Sequence, residues 1–201
     1  MINQPTSFKT YLIICEGVSE ERYLTKLNSI LRKLKIVFKP VYAGGGEFTN
    51  LIKKYKTKKE EEKKNKITDF IIWADYDRYL RNDNKNNDEY IKSEYKDIFK
   101  FSYLNFEDFL IMHKKKDSVL NWQKIMEEEN HFETPIYSNR LQHLIEKNKI
   151  FNNYKKGKIP IELNDESFDN LRKNYSEEDI KFKGDNDFID FLLENIIPHH
   201  R

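Results

Sequence analysis

Residues 11 to 17 read Tyr-Leu-Ile-Ile-Cys-Glu-Gly, and residues 70 to 77 read Phe-Ile-Ile-Trp-Ala-Asp-Tyr-Asp. Each stretch is a short, uninterrupted apolar run that ends in acidic residues. Such a run is typical of a strand that is covered on both faces, as in a parallel sheet. The two stretches therefore predict two buried parallel strands, each with carboxylates at its carboxyl end.

The chain around these two runs alternates between helical and extended patterns. Leu24, Leu27 and Leu31 recur at helical spacing after the first run, and Ser19 is predicted to cap that helix. A second strand is predicted over residues 37 to 43, near an edge of the sheet because it contains Pro40. A second helix follows the turn Gly44-Gly45-Gly46, and residues 98 to 103 are predicted to form a fourth strand.

The second half of the chain favours helices. Asn105 is predicted to cap a helix, residues 78 to 87 are predicted to form a polar loop, and helical patterns recur around residues 119–126, 141–145, 168–171 and 188–197. The succession of strands and helices predicts an α/β fold with a mostly parallel sheet of about four strands flanked by helices. We interpret residues 8–115 as the core and residues 116–201 as a C-terminal helical extension packed on it.

Composition limits the kind of protein this is. A chain of 201 residues in which 35% are charged and 14% aromatic should fold rather than stay disordered. The net charge of +2 favours neither an anionic nor a cationic partner. The single cysteine, Cys15, and the lack of a long apolar run or signal-like segment predict a cytoplasmic protein without a membrane partner.

Acidic residues end both central strands. Glu16 follows the first strand, and Asp75 and Asp77 follow the third. Sites in open parallel sheets form beyond the carboxyl ends of the strands, so these three carboxylates should converge there. Carboxylate oxygens are preferred ligands of hard cations, which predicts a site for Mg²⁺ or Mn²⁺. Such a cation supports phosphoryl chemistry, because it neutralises charge on phosphate oxygens and activates water.

The same residues resemble a known family. Leu-Ile-Ile-Cys-Glu-Gly-Val-Ser-Glu-Glu (residues 12–21) resembles the first motif of Toprim domains, and the version in OLD-family nucleases in particular. The glycine turn at residues 44–46 and the strand ending in Asp75-Tyr76-Asp77 follow in the order of that family. Residues 105–110, Asn-Phe-Glu-Asp-Phe-Leu, are similar to a helix of small RloB-like Toprim proteins from phage-defence loci. The resemblance covers about residues 10 to 112, and residues after about 115 match no motif.

The resemblance implies a Toprim-like, Rossmann-like fold and a metal-dependent nuclease. Glu16 would act as general acid or base and as metal ligand, Glu20 as a further ligand, and Asp75 and Asp77 as the metal-holding pair. Glu107 would be an additional site residue. Unlike the large OLD proteins, the sequence has no Gly-x-x-x-x-Gly-Lys-Ser/Thr loop, so an ATPase on another chain is an expected partner.

Two basic segments are candidates for binding the substrate backbone. Lys114, Lys115 and Lys116 follow the predicted helix that begins at Asn105, where the site should open, and are expected to contact phosphate. The lysine-rich stretch from Lys53 to Lys66 is interrupted by glutamates and is better interpreted as a solvated helix with internal ion pairs.

The sequence leaves other functions open. A Toprim fold that binds nucleic acid or a partner protein without cutting would carry the same acidic residues. A phosphoryl-accepting aspartate pair of the haloacid-dehalogenase kind is a third interpretation, but Tyr79 stands where that pattern places a small hydroxyl residue, and Glu16 would be unexplained. The C-terminal helices could form a homodimer, gate the site or dock an ATPase. The sequence does not distinguish DNA from RNA as the substrate.

Overall fold

Four parallel strands form one sheet in the computed structural model, which describes residues 8–45, 47–77, 94–155, 157–184 and 187–196. The strands are β1 (Lys9–Cys15), β2 (Ile36–Tyr42), β3 (Asp69–Asp75) and β4 (Phe99–Ser102). Their order across the sheet is β2-β1-β3-β4, and every neighbouring pair is parallel. The predicted α/β class and the mostly parallel sheet of about four strands are confirmed.

Seven α-helices accompany the sheet in the described residues. They are α1 (Val18–Leu31), α2 (Phe48–Glu61), α3 (Phe106–Ile111), α4 (Lys116–Glu128), α5 (Ser138–Lys147), α6 (Asp165–Ser176) and α7 (Phe188–Asn195), with a 3₁₀ turn over Arg32–Leu34. None of these helices is both long and apolar enough to span a bilayer. The predicted polar loop at residues 78–87 lies outside the described residues.

The central strands are apolar throughout because both faces of the sheet are covered. Ile13 and Trp73 pack into one cluster with α1 and the C-terminal helices, whereas Ile14 and Ile72 pack into a second cluster with α2. All four side chains are fully or almost fully buried. Since successive side chains of a strand point to opposite faces, a five-residue apolar run is what two-sided burial requires.

Strand β2 lies at an edge of the sheet, as its proline predicts. Pro40 pairs in register with Ile13 of β1, and β2 has no strand on its other side among the described residues. An edge strand tolerates proline because its second ladder needs no N–H donor. The parallel pairing of Tyr42 with Cys15 places the carboxyl end of β2 directly beside the end of β1.

Helix α1 begins two residues earlier than the sequence predicts. Its N-cap is Gly17, so Ser19 lies within the first turn and the predicted Ser19 cap is wrong. Glu20 stands at the third helical position, where the backbone N–H groups of Glu20 and Gly17 lower the pKa of its carboxylate against the larger, opposite effect of burial. The third helical position is where a capping box places its glutamate. The predicted Asn105 cap of α3 is confirmed, since its side chain accepts from the N–H of Asp108 at 3.1 Å.

The C-terminal helices share the core of the sheet. Phe188 of α7 stacks on Trp73 of β3 with ring centroids 3.8 Å apart and an interplanar angle of 11°. Leu141 and Leu144 of α5 belong to the same buried cluster as Ile13. Within the described residues, the hydrophobic core is thus continuous across the boundary at residue 115 that we interpret as the start of the extension.

A buried polar network also joins α3 to the extension. Asp108 is fully buried and accepts hydrogen bonds from Trp122 Nε1 at 2.7 Å and from His131 Nε2 at 3.1 Å. His131 Nδ1 accepts from the N–H of Ile136 at 2.9 Å, which places the ring proton on Nε2. The network holds the start of α3 against His131, which follows α4. Glu107, which directly precedes Asp108, is held with it.

Candidate functional site

A cavity of about 500 Å³ opens at the carboxyl ends of β1 and β3. Five acidic residues line it: Glu16, Glu20, Asp75, Asp77 and Glu107. They come from the turn after β1, from α1, from the end of β3 and from α3. The structure therefore brings together every acidic residue that the sequence and the family resemblance single out.

Backbone hydrogen bonds between the strand ends position these carboxylates. The N–H of Glu16 donates to the carbonyl of Trp73 at 3.1 Å, which extends the β1–β3 pairing past the end of β1. The N–H of Asp75 donates to Glu16 Oε2 at 3.2 Å. The N–H of Asp77 donates to the carbonyl of Leu104 at 2.7 Å. The parallel register thus carries the acids of two strands to one point.

Gly17 makes room for the carboxylate of Glu20. A Cβ atom at residue 17 would lie 2.5 Å from Glu20 Oε2, closer than real Cβ atoms approach another atom. The φ of Gly17 is −117°, so its backbone conformation is open to any residue and the requirement is purely one of space. The Glu-Gly pair therefore serves the site twice, through the carboxylate of Glu16 and through the gap that Glu20 fills.

Burial and mutual repulsion alter the acid–base properties of the cluster. Burial raises the pKa of Glu20 to about 8, with further increases from the charges of Glu16 and Glu107. Burial likewise holds the pKa of Asp75 well above its usual range, and the neighbouring charges of Glu20, Glu16, Asp77 and Glu107 raise it further. At neutral pH the negative charge of the ionised carboxylates is therefore not balanced by neighbouring positive side chains, and bound protons or a cation must balance it.

The donor set fits a hard divalent cation in chemistry. All five side chains offer carboxylate oxygens, and Asp75 Oδ1 is buried without a hydrogen-bond partner among the described residues. A buried, unpartnered carboxylate oxygen is costly unless a proton or a cation satisfies it. Across the described ranges, however, no group of three or more His, Cys, Asp or Glu side chains is already gathered as a metal-ligand set. Ligation would require the side chains to draw closer.

Two site residues come from positions that the sequence did not indicate. Tyr154, in the extension, donates a hydrogen bond from its hydroxyl to Glu107 Oε1. Burial is the largest cause that raises the pKa of this hydroxyl, and the negative charge of Glu107 raises it further. Arg22 of α1 is the one positively charged residue among the described residues lining the cavity, and its guanidinium donates to the carbonyl of Gly157. Neither residue belongs to a local pattern, so only the tertiary structure reveals it.

The three consecutive lysines lie away from the cavity lining. Lys114 donates from Nζ to the carbonyl of Ile150 at 2.6 Å. Lys115 is the N-cap residue of α4, and Lys116 forms ion pairs with Glu177 at 2.8 Å and Asp179 at 3.2 Å. None of them is among the residues that line the cavity. Their contact with substrate phosphate stays a prediction.

The lysine-rich stretch around α2 follows the interpretation as a solvated helix. Lys58 pairs with Glu61, and Lys63 pairs with Glu60, both at a spacing of three residues. Lys39 on the edge strand pairs with Glu62 at 3.1 Å. Such pairs at the surface contribute little to stability individually.

A second, smaller cavity of about 330 Å³ lies where α7 packs on the sheet. Asp187, the N-cap residue of α7, is 1% exposed, and its Oδ1 accepts from the N–H of Ile189 at 2.9 Å. Burial, with a smaller contribution from the charge of Asp190, raises the pKa of Asp187 to about 8. Other charged residues around this cavity are Asp69, Asp97, Lys100 and Glu194. This cluster was not anticipated from the sequence.

The comparisons with known proteins return no relative. No protein-family model, no curated protein and no solved structure matches this chain.

Proposed function

We propose that this protein is a divalent-metal-dependent nuclease of Toprim type, which hydrolyses phosphodiester bonds in DNA or RNA. One observation carries the proposal: five carboxylates from separate segments converge in a single cavity at the carboxyl edge of a parallel sheet. The sheet edge is where α/β proteins place their ligands. Polyanion chemistry at such an acidic site requires cations to bridge protein and phosphate.

The site residues divide into metal-holding and acid–base roles. Glu16, Glu20, Asp75 and Asp77 would hold Mg²⁺ or Mn²⁺, which supplies Lewis-acid stabilisation of phosphate charge and a more acidic water. Glu16, whose Oε2 accepts from the N–H of Asp75, is fixed in orientation and would exchange a proton with the attacking water or the leaving oxygen.

Other groups orient the substrate and the acids. Glu107 is held in place by the hydroxyl of Tyr154, so its carboxylate keeps a defined position at the cavity wall. Arg22 supplies a positive charge to which a phosphate oxygen can bind. An ATPase on a separate chain, working with this protein in defence or repair, completes the proposal, since the sequence carries no nucleotide-binding loop of its own.

A second candidate is a Toprim-fold module that binds nucleic acid or a protein without cutting it. The observation that favours it is the lining of the cavity, which presents Tyr42, Tyr137 and Gln142 beside the carboxylates and so offers stacking and hydrogen-bonding groups to a ligand. The two functions differ in one measurable respect, which is whether product forms once metal and nucleic acid are both present.

Nicking of supercoiled plasmid and cleavage of total RNA with Mg²⁺ or Mn²⁺ test the proposal. Wild type should cut at least one polymer, and Glu16→Gln and Asp75→Asn should abolish cutting at equal purity. Glu21→Gln is the matched control, because Glu21 adjoins Glu20 on α1 but does not line the cavity. Wild-type inactivity on both polymers, with metal binding retained in calorimetry, would favour the binding module. Equal cutting by all variants would reveal a contaminant and refute the assignment.

A further inference from the structure

Exposed aromatic side chains are concentrated at the acidic cavity. In the described part of the chain, three large apolar side chains are exposed: Phe8 at 56%, Tyr42 at 41% and Tyr137 at 73%. Two of the three, Tyr42 and Tyr137, line the cavity that holds the five carboxylates. The other large apolar side chains described are at least partly buried, so this placement is a specific feature of the site.

The two tyrosines reach the cavity from different parts of the chain. Tyr42 is the last residue of the edge strand β2 and pairs in register with Cys15, which directly precedes Glu16. Tyr137 is the N-cap residue of α5 in the extension, and Ser138 and Gln142 of the same helix also line the cavity. The core and the extension thus each present one exposed aromatic ring beside the carboxylates.

The charge of the cavity explains why such rings would be useful. Five acids face one arginine among the described lining residues, so the cavity repels a polyanion wherever a metal does not bridge the two. Stacking on an aromatic ring is an attraction that does not depend on charge, and every nucleobase has a face that can stack. Bases within a duplex already stack on their neighbours, whereas unpaired bases leave their faces available.

We infer that Tyr42 and Tyr137 are stacking residues that bind unpaired bases, and that the substrate is single-stranded nucleic acid. The inference rests on the proposed nuclease function, whose substrate class it specifies. The backbone phosphate would lie at the carboxylate site, while the flanking bases stack on the two rings at its rim. DNA and RNA share this chemistry, and the test separates them.

Fluorescence anisotropy of labelled oligonucleotides tests the inference on the full chain, with Ca²⁺ replacing Mg²⁺ to prevent turnover. The probes are a 20-nucleotide single-stranded DNA, the corresponding RNA and the DNA duplex. Tyr42→Ala and Tyr137→Ala should each weaken binding of at least one single strand about tenfold, as expected for the loss of one stacked base. Tyr42→Phe and Tyr137→Phe should bind as wild type, because they keep the ring.

Phe8→Ala is the matched control, since Phe8 is an exposed ring outside the cavity lining. Wild-type affinity in both tyrosine-to-alanine variants, a similar loss in Phe8→Ala, or duplex binding as tight as single-strand binding would overturn the inference. These outcomes leave the nuclease proposal intact if Glu16→Gln still abolishes cleavage. Absence of binding by wild type to all three probes would overturn the inference, and the cleavage assay with the acidic variants then decides the nuclease proposal separately.

Discussion

Replacing Glu20 by glutamine should stabilise the metal-free protein, even though Glu20 is a proposed metal ligand. Its side chain is only 3% exposed, and burial raises its pKa to about 8. Glutamine has nearly the same shape and carries no charge. The substitution therefore removes the electrostatic cost of the carboxylate with little change in packing.

The size of the effect follows from the difference in pKa between the folded and unfolded chain. An unfolded glutamate titrates near pH 4.5. Between that pH and about 8, the folded state therefore keeps a proton that the unfolded state has already released. Wild type loses stability as pH rises through this window, whereas the glutamine variant does not. At about 1.4 kcal/mol per pKa unit, the variant should gain up to about 3 kcal/mol at pH 7 and under about 1 kcal/mol at pH 5.

Urea unfolding in EDTA, followed by the fluorescence of the buried Trp73 and Trp122, measures this difference at a series of pH values. For a chain of this size, about 3 kcal/mol corresponds to a Tm increase of about 6–12 °C. Glu21→Gln is the control for the helix dipole, because Glu20 and Glu21 both lie in the first turn of α1. An equal, pH-independent effect of the two substitutions would refute the view that the cavity holds mutually repelling, buried carboxylates.

Three further predictions concern the same electrostatic and packing arguments. Mg²⁺ or Mn²⁺ should raise the Tm of wild type, and Asp75→Asn should lose this shift in thermal melting, because it removes the unpartnered buried oxygen. Gly17→Ala should weaken metal binding in calorimetry by displacing the carboxylate of Glu20, without abolishing folding. Asp187→Asn should stabilise the protein increasingly as pH rises from about 4 to about 8, because the raised pKa of Asp187 makes its ionised form costly in the folded state. In urea unfolding, the gain in the free energy of unfolding should be up to about 3 kcal/mol larger at pH 7.5 than at pH 5. A constant difference across that range would contradict the burial of an ionisable Asp187.

The sequence predicted the sheet well because strand burial leaves a local signature. The apolar runs at residues 11–15 and 70–74 have no polar alternation, and only a strand covered on both faces permits that. Pro40 located the edge strand for an equally local reason, since proline cannot donate to a second ladder. Once the strands were parallel, the convergence of Glu16, Asp75 and Asp77 followed from topology alone.

The sequence failed where side-chain direction or long-range packing decides the outcome. Ser19 is a good N-cap residue, but the helix begins at Val18 with Gly17 as its N-cap residue, which places Glu20 at the third helical position. Arg22 and Tyr154 line the cavity without belonging to any motif, since their positions depend on how the extension packs against α1 and α3.

The extension has a physical role in the acidic site, because it takes part in burying the carboxylates. Leu141 and Tyr154 line the cavity from the extension side, and Glu20 is left almost without solvent contact. Carboxylates at an open sheet edge would stay hydrated and ionised, and they would gain little from a cation. If a cation binds here as proposed, it replaces protons held by the buried carboxylates, so metal binding would be coupled to proton release. The residues after 115 therefore shape the chemistry of acids that belong to the sheet, and the core and the extension act as one site.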